Sequence, residues 1–256
     1  MQIVSLVCHL ACRLGIPGTP YDDNTWSLAL RHVLDFLRFD KFTILGHSMG
    51  ASIGWFYASV CPSQVERIIA IDQIKPITSK DAREAADSYG ASLTTYLEAE
   101  KKYKSPQPSF RFETALDILI VAHDGFGIKL NREGALCLIK RATKTAPDGS
   151  GLNFTRDARL NALLGHKVDS KTLREFYSKM QCEMLIILGK DGINDLNNPD
   201  IKTVYDGHAA TAKNFKAVTI EGDHFVHLTD PEKVAQIIKD YVMSSDLTKK
   251  VSELTI

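Results

Sequence analysis

A serine held between two glycines carries the most specific chemical signal in the chain. The sequence Gly46-His47-Ser48-Met49-Gly50 follows an apolar strand and precedes a helix rich in small residues. A Gly-x-Ser-x-Gly turn in this context is a nucleophile elbow, in which a tight backbone turn exposes the central hydroxyl. Ser48 is therefore predicted to be a nucleophile. The amide of Met49, at the positive end of the helix dipole, is predicted to donate to an oxyanion.

A serine hydroxyl needs a neutral imidazole to take its proton, and His224 is the predicted base. It lies in Gly222-Asp223-His224, a turn directly after the last predicted strand. His227 is a second histidine three residues later. The pair His224-x-x-His227 could in principle bind a metal, but no nearby cysteine or glutamate completes a ligand set. We therefore predict neither a metal nor a cofactor.

The imidazole in turn needs a carboxylate to fix its tautomer and to stabilise its charge. Asp191, in a Lys-Asp-Gly turn after the strand at 184–188, is predicted to be this acid. Asp195 in the same loop and Asp72 at the end of the strand at 65–71 are the alternatives. The carboxyl ends of parallel strands meet at one edge of a sheet, so each of these carboxylates could reach the histidine.

The order of the elements predicts an α/β fold with a doubly wound, mostly parallel sheet. A final amphipathic helix is predicted to begin at Asp230-Pro231. Residues 74–166 have a charged, helical pattern broken by prolines, and are interpreted as a lid inserted into a single domain of residues 1–256. Apolar strands are predicted at residues 41–45, 65–71, 184–188 and 217–220.

Charge and composition restrict the partners that this chain is expected to have. Its 256 residues contain 31 basic and 31 acidic side chains, a balance that argues against nucleic acid or an anionic membrane as the main partner. No stretch approaches the roughly 18 apolar residues that a membrane span needs. The five cysteines form no Cys-x-x-Cys pair, which is typical of a reducing compartment. We expect a cytoplasmic protein with a small-molecule acyl substrate.

Three segments together resemble the serine hydrolase-like proteins of animals, an α/β-hydrolase family. They are the elbow around Ser48, the run Leu152-Asn153-Phe154-Thr155-Arg156-Asp157-Ala158-Arg159-Leu160, and the run from Gly222 to Leu228. The similarity extends over about residues 18–242. It implies that Ser48 is the nucleophile and His224 the base, and that carboxylates recur where Asp72 and Asp195 lie. It also allows an association with peroxisomes.

The chain departs from this family at its start. Relatives carry, before the helix that begins near Asn24, four strands and a His-Gly-Trp-type loop that supplies a further oxyanion donor. We therefore expect an N-terminally truncated member of the family that lacks its first strands and this loop. Residues 42–45 would then form an exposed apolar edge of the sheet. Residues 3–10 could add one replacement strand, but they do not resemble the family's segment and contain no glycine for an oxyanion loop.

Two functional hypotheses follow from these residues. The first is a serine hydrolase that cleaves a small ester, thioester or amide through an acyl-enzyme on Ser48, with acyl transfer to another acceptor left open. The second is a truncated, catalytically impaired chain that acts as a binding protein or has no stable function. Epoxide hydrolases and haloalkane dehalogenases use aspartate at the elbow, so Ser48 argues against both activities.

Overall fold

The computed structural model describes residues 3–6, 20–103, 107–162 and 167–254, with side chains described between residues 20 and 245. Helices and strands alternate at both ends, as the sequence predicts. In chain order the elements are β1 (Ile3–Leu6), α1 (Asp23–Leu37), β2 (Phe42–His47), α2 (Met49–Val60), β3 (Val65–Ile71), α3 (Ala82–Tyr103), α4 (Phe112–Asp124), α5 (Arg132–Ala142), β4 (Thr143–Thr145), β5 (Leu152–Phe154), a 3₁₀ turn (Ala158–Asn161), α6 (Ser170–Tyr177), β6 (Glu183–Asp191), α7 (Pro199–Thr211), β7 (Phe215–Asp223), α8 (Val226–Thr229) and α9 (Pro231–Leu254).

The centre of the fold is a parallel sheet with the strand order β1-β2-β3-β6-β7. The predicted doubly wound α/β architecture is confirmed, and each of the four predicted strands is present. Parallel strands need helical crossovers, and these place helices on both faces of the sheet. All the strands then deliver their carboxyl ends to one edge, which is where Ser48, Asp72, Asp191 and His224 lie.

The prediction that residues 42–45 form an open edge is wrong. Strand β1 pairs with β2 in parallel, with Ile3 opposite Thr43 and Leu6 opposite Gly46. Phe42 and Ile44 are completely buried. A four-residue apolar stretch is too short to be recognised reliably as a strand, but an adjacent strand with unpaired backbone groups stabilises it. Residues 7–10, the rest of this predicted stretch, lie outside the described residues.

Two hydrophobic clusters cover the two faces of the sheet. Side chains alternate along each buried strand, so Ile68 and Ala70 face one cluster while Ile69 and Ile71 face the other. Helices α1, α2, α6 and α7 contribute to the first cluster, and α9 closes the second with Val234 and Tyr241. The sheet is therefore buried on both sides, and this packing holds the ends of its strands in place.

The chain between β3 and α6 forms a separate layer of helices α3 to α5 and the small antiparallel β4–β5 hairpin. Its apolar residues pack around Leu116 and Ile139, and this cluster includes Phe225 from the histidine turn, with Leu228 against it. These elements lie within residues 74–166, the segment interpreted from the sequence as an insertion. Because its core is shared with Phe225, it rests directly beside His224.

Candidate active site

Ser48 lies at the turn between β2 and α2 in a conformation that few residues other than glycine adopt. Its φ is 52° and its ψ is −123°. Positive φ is costly for a residue with a side chain and persists where the surrounding structure enforces it. Here the Ser48 amide donates to the Ile71 carbonyl at 3.2 Å, which ties the turn to β3. This is the strained geometry that the Gly-x-Ser-x-Gly pattern predicts.

Close approach between β2 and α2 is what makes this turn tight. A Cβ atom on Gly46 would lie 2.6 Å from the Ala51 backbone nitrogen, closer than real Cβ atoms come to other atoms. Met49 is the first residue of α2, and an N–H in the first turn of a helix has no intrahelical acceptor. Among the described residues, the Met49 amide has no backbone acceptor outside the helix either, so it can donate to a negative oxygen next to Ser48.

His224 follows β7 and is almost completely buried. Its Nδ1 lies 2.7 Å from Oδ2 of Asp72, which follows β3 and is fully buried. A carboxylate only accepts hydrogen bonds, so in the neutral ring Nδ1 carries the proton and Nε2 has the lone pair. Within the described part of the chain, Nε2 has no hydrogen bond. His224 thus has the tautomer that a general base requires.

The Asp72 carboxylate is held by backbone as well as by His224. Its Oδ1 accepts from the Gly189 amide and its Oδ2 from the Ile193 amide, both at 3.0 Å. Gly192 packs against the same group, since a Cβ atom there would lie 2.3 Å from Oδ1. These hydrogen bonds compensate for burying the carboxylate and fix its orientation.

The structure differs here from the first choice made from the sequence, Asp191. That side chain is exposed at the end of β6, and the loop around it turns so that its backbone amides, not its carboxylate, face Asp72. Asp195 is also exposed and accepts from the amide and side chain of Asn197. Of the three candidate carboxylates, only Asp72 contacts His224.

We expect Asp72→Asn to reduce kcat on an activated ester by about 10⁴-fold, because an amide would favour the wrong imidazole tautomer at an otherwise intact site. The matched control, Asp191→Asn, should stay within about threefold of the unchanged chain. Steady-state kinetics of the two variants measure the difference. A larger loss in Asp191→Asn than in Asp72→Asn would instead indicate that Asp191 is the acid.

Three imidazole rings lie together beside Ser48. The His47 ring is 4.4 Å from the His224 ring and 4.1 Å from the His227 ring, measured between centroids. Nδ1 of His227 is buried with no hydrogen-bond partner among the described residues, and burial lowers the pKa of His227 to about 4. Among those residues, no group of three His, Cys, Asp or Glu side chains is arranged to bind a metal.

A buried polar cluster fastens the end of the inserted layer beside the elbow. Arg159 forms an ion pair with Asp157 at 2.6 Å, and the Tyr21 hydroxyl donates to the same carboxylate at 2.9 Å. Tyr21 and Leu160 pack against Met49. In the sequence, Asp157 and Arg159 stand out only as part of the motif that resembles the family. No local sequence pattern reveals the contacts of Tyr21 or His47, because they join residues that are far apart in the chain.

A strained serine elbow after one parallel strand, with a paired aspartate and histidine after two others, defines the α/β-hydrolase class. Residues 19–231 match the family described as "alpha/beta hydrolase fold", and the chain belongs to this family. Across the described residues, no helix is both long and apolar enough to cross a membrane.

The chain is similar to proteins that are named as serine hydrolases or as serine hydrolase-like proteins. It is 29% identical over 211 residues to a "Probable serine hydrolase" of Drosophila melanogaster, which covers 80% of this chain and 61% of that protein. It is 27% identical over 241 residues to "Serine hydrolase-like protein 2" of Homo sapiens, which covers 90% of this chain and 74% of that protein. The chain therefore spans about three fifths of the fly relative and three quarters of the human one.

Solved structures agree on the fold. A hypothetical protein from Pseudomonas aeruginosa PAO1 superposes with a TM-score of 0.73 at 24% identity, over 89% of this chain and 77% of that one. An E-2-(acetamidomethylene)succinate hydrolase superposes with a TM-score of 0.61 at 19% identity, over 88% of this chain and 75% of that one. At these identities the likeness concerns the fold alone.

Proposed function

We propose that this chain is a serine hydrolase that cleaves a small ester, thioester or amide through an acyl-enzyme on Ser48. The single observation that supports this most strongly is the buried hydrogen bond from His224 Nδ1 to Asp72, at the sheet edge that also carries the strained Ser48. A buried pair of this kind leaves one imidazole nitrogen unprotonated, as a serine nucleophile requires.

In the proposed reaction, His224 Nε2 takes the proton of the Ser48 hydroxyl as Oγ attacks the acyl carbonyl carbon. The Met49 amide donates to the resulting oxyanion, and Asp72 stabilises the imidazolium. The imidazolium then gives its proton to the leaving group as the bond to that group breaks. The same imidazole then takes a proton from water as the water oxygen attacks the acyl carbon, and it returns that proton to Ser48 Oγ as the bond between the acyl carbon and Oγ breaks. In the described contacts Ser48 Oγ and His224 Nε2 are not hydrogen-bonded, and such contacts often tighten only when substrate binds.

The inserted layer is proposed to act as the lid that shapes the acyl pocket. Its apolar cluster reaches Phe225, next to the proposed base, and Leu160 packs near Met49 at the proposed oxyanion site. A largely apolar cover of this kind suits an uncharged acyl group and excludes water from the reacting carbonyl. The names of the fly and human relatives agree with a serine hydrolase and leave the substrate open.

A fluorophosphonate probe tests the proposal directly, since only an activated serine attacks such a phosphorus centre at neutral pH. We expect one covalent adduct, which peptide mass spectrometry should map to Ser48. The unlabelled chain should also release the phenol of an aryl acetate with an initial burst, because the acyl-enzyme accumulates. No adduct, or an adduct on another residue, would refute the proposed function.

A further inference from the structure

His47 is the last residue of β2 and directly precedes Ser48. Its Nε2 lies 2.8 Å from the backbone carbonyl oxygen of His224, 177 residues away in the chain. Its ring also contacts the rings of His224, Phe225 and His227, at 4.4, 5.5 and 4.1 Å between centroids. One side chain beside the proposed nucleophile therefore contacts both the backbone and the imidazole of the proposed base.

The chemistry of this contact determines which His47 nitrogen carries the proton. A carbonyl oxygen can only accept, so Nε2 must be the donor. Burial, reinforced by the nearby His227 and His224 rings, holds the pKa of His47 well below its usual range. The ring is therefore neutral near neutral pH and has a single N–H, on Nε2. A neutral ring also places no positive charge against His224 when that residue takes a proton.

We propose that His47 is a positioning residue, whose Nε2–H holds the His224 carbonyl and whose ring supports the His224 imidazole, so that the base is aimed at Ser48. This inference rests on the proposed function. His224 is then fixed at two points, since Asp72 holds its ring and His47 holds its backbone. Because His47 adjoins Ser48 in the chain, the backbone that places the nucleophile also places the base.

The His47 contact also relates the turn that carries His224 to β2. Gly222 has a φ of 126°, and the turn's own side-chain hydrogen bond is local, from the Phe225 amide to Asp223 at 2.8 Å. Neither feature relates the turn to β2. The bond from His47 supplies that relation across the sheet edge. A shift of about 1 Å between reacting groups can cost about 10²-fold in rate, so this anchor has a measurable consequence.

A pair of substitutions in the full chain separates positioning from packing. His47→Phe keeps an aromatic ring but removes the donor, whereas His47→Gln places an amide N–H at similar reach. We expect His47→Phe to lower kcat for an aryl ester and the rate of fluorophosphonate labelling by about 10- to 100-fold, with KM changed by less than about threefold. His47→Gln should recover most of the lost rate. Equal rates in the unchanged chain and His47→Phe, or an equal loss in both variants, would overturn the inference.

The failure of this inference and the failure of the proposed function give different results. If the unchanged chain is labelled at Ser48 and His47→Phe is labelled as fast, only the inference fails. If the unchanged chain is not labelled at all, the proposed function fails and the inference falls with it. Thermal unfolding of both variants shows whether each one folds.

A spectroscopic test needs no substitution at His47. Long-range ¹H–¹⁵N correlation spectra of the ¹⁵N-labelled full chain distinguish a protonated ring nitrogen from an unprotonated one. We expect His47 to carry its proton on Nε2 and to have an unprotonated Nδ1 at neutral pH. A proton on Nδ1 alone would show that no Nε2–H reaches the His224 carbonyl, and the inference would be overturned even if Ser48 is labelled.

Discussion

Replacing Ser48 with alanine is expected to abolish fluorophosphonate labelling and to lower kcat on an aryl ester by about 10⁴- to 10⁶-fold, as the loss of the nucleophile does in a characterised serine protease. Alanine lacks the hydroxyl on which the acyl-enzyme is proposed to form. The residual rate would come from substrate binding and the Met49 amide. Labelling and steady-state kinetics on the purified chain measure both effects.

Ser52 offers a matched control, because it lies one helical turn further along α2. Its hydroxyl accepts from the side chain of Gln73 at 2.9 Å and has no contact with His224. Ser52→Ala removes one hydrogen bond and leaves the elbow intact, so labelling at Ser48 should continue. Continued labelling of the Ser48→Ala chain would instead show that Ser48 is not the nucleophile.

Replacing His224 with alanine should have an effect of similar size, about 10⁴- to 10⁶-fold on kcat, because the imidazole proposed to take the serine proton is then absent. The comparison is with His227→Ala. His227 contacts the His47 ring, and burial lowers its pKa to about 4. Within the described residues its Nδ1 has no hydrogen-bond partner and no carboxylate binds its ring, so its replacement should leave most of the labelling rate.

The two histidine variants decide between the candidates for the base. Both should be measured at the same pH, with thermal unfolding as a check on folding, since each substitution leaves a small cavity beside the His47 ring. A large loss in His224→Ala with a small loss in His227→Ala is the expected result. Similar losses in both would mean that the choice of His224 is unsupported.

Local sequence patterns predict Ser48, Met49 and His224 as site residues. The elbow is a contiguous motif whose glycines are required by backbone contacts within a few residues, as the 2.6 Å approach at Gly46 shows. His224 follows a recognisable strand and a Gly-Asp turn. In both cases short-range steric constraints select the residue types, so the residues can be found without knowing the fold.

The acid could not be chosen in the same way. Asp72 and Asp191 both follow predicted strands, and Asp195 lies in the same loop as Asp191. The local sequence around each aspartate therefore does not show which one reaches the histidine. The decision depends on the path of the chain after β6, where Gly192 packs on the Asp72 carboxylate and the Gly189 and Ile193 amides bind it. These contacts join residues more than a hundred positions apart.

The amino-acid sequence by itself determined the alternating α/β order, the elbow and the histidine turn, because strand periodicity and tight-turn glycines act over a few residues. Only the tertiary structure decided that β1 covers the edge of β2, that Asp72 holds His224, and that His47 holds the His224 carbonyl. Each of these depends on strand register and on the direction of a buried side chain. Those two properties are set by the packing of the whole sheet, and no short segment of the chain contains them.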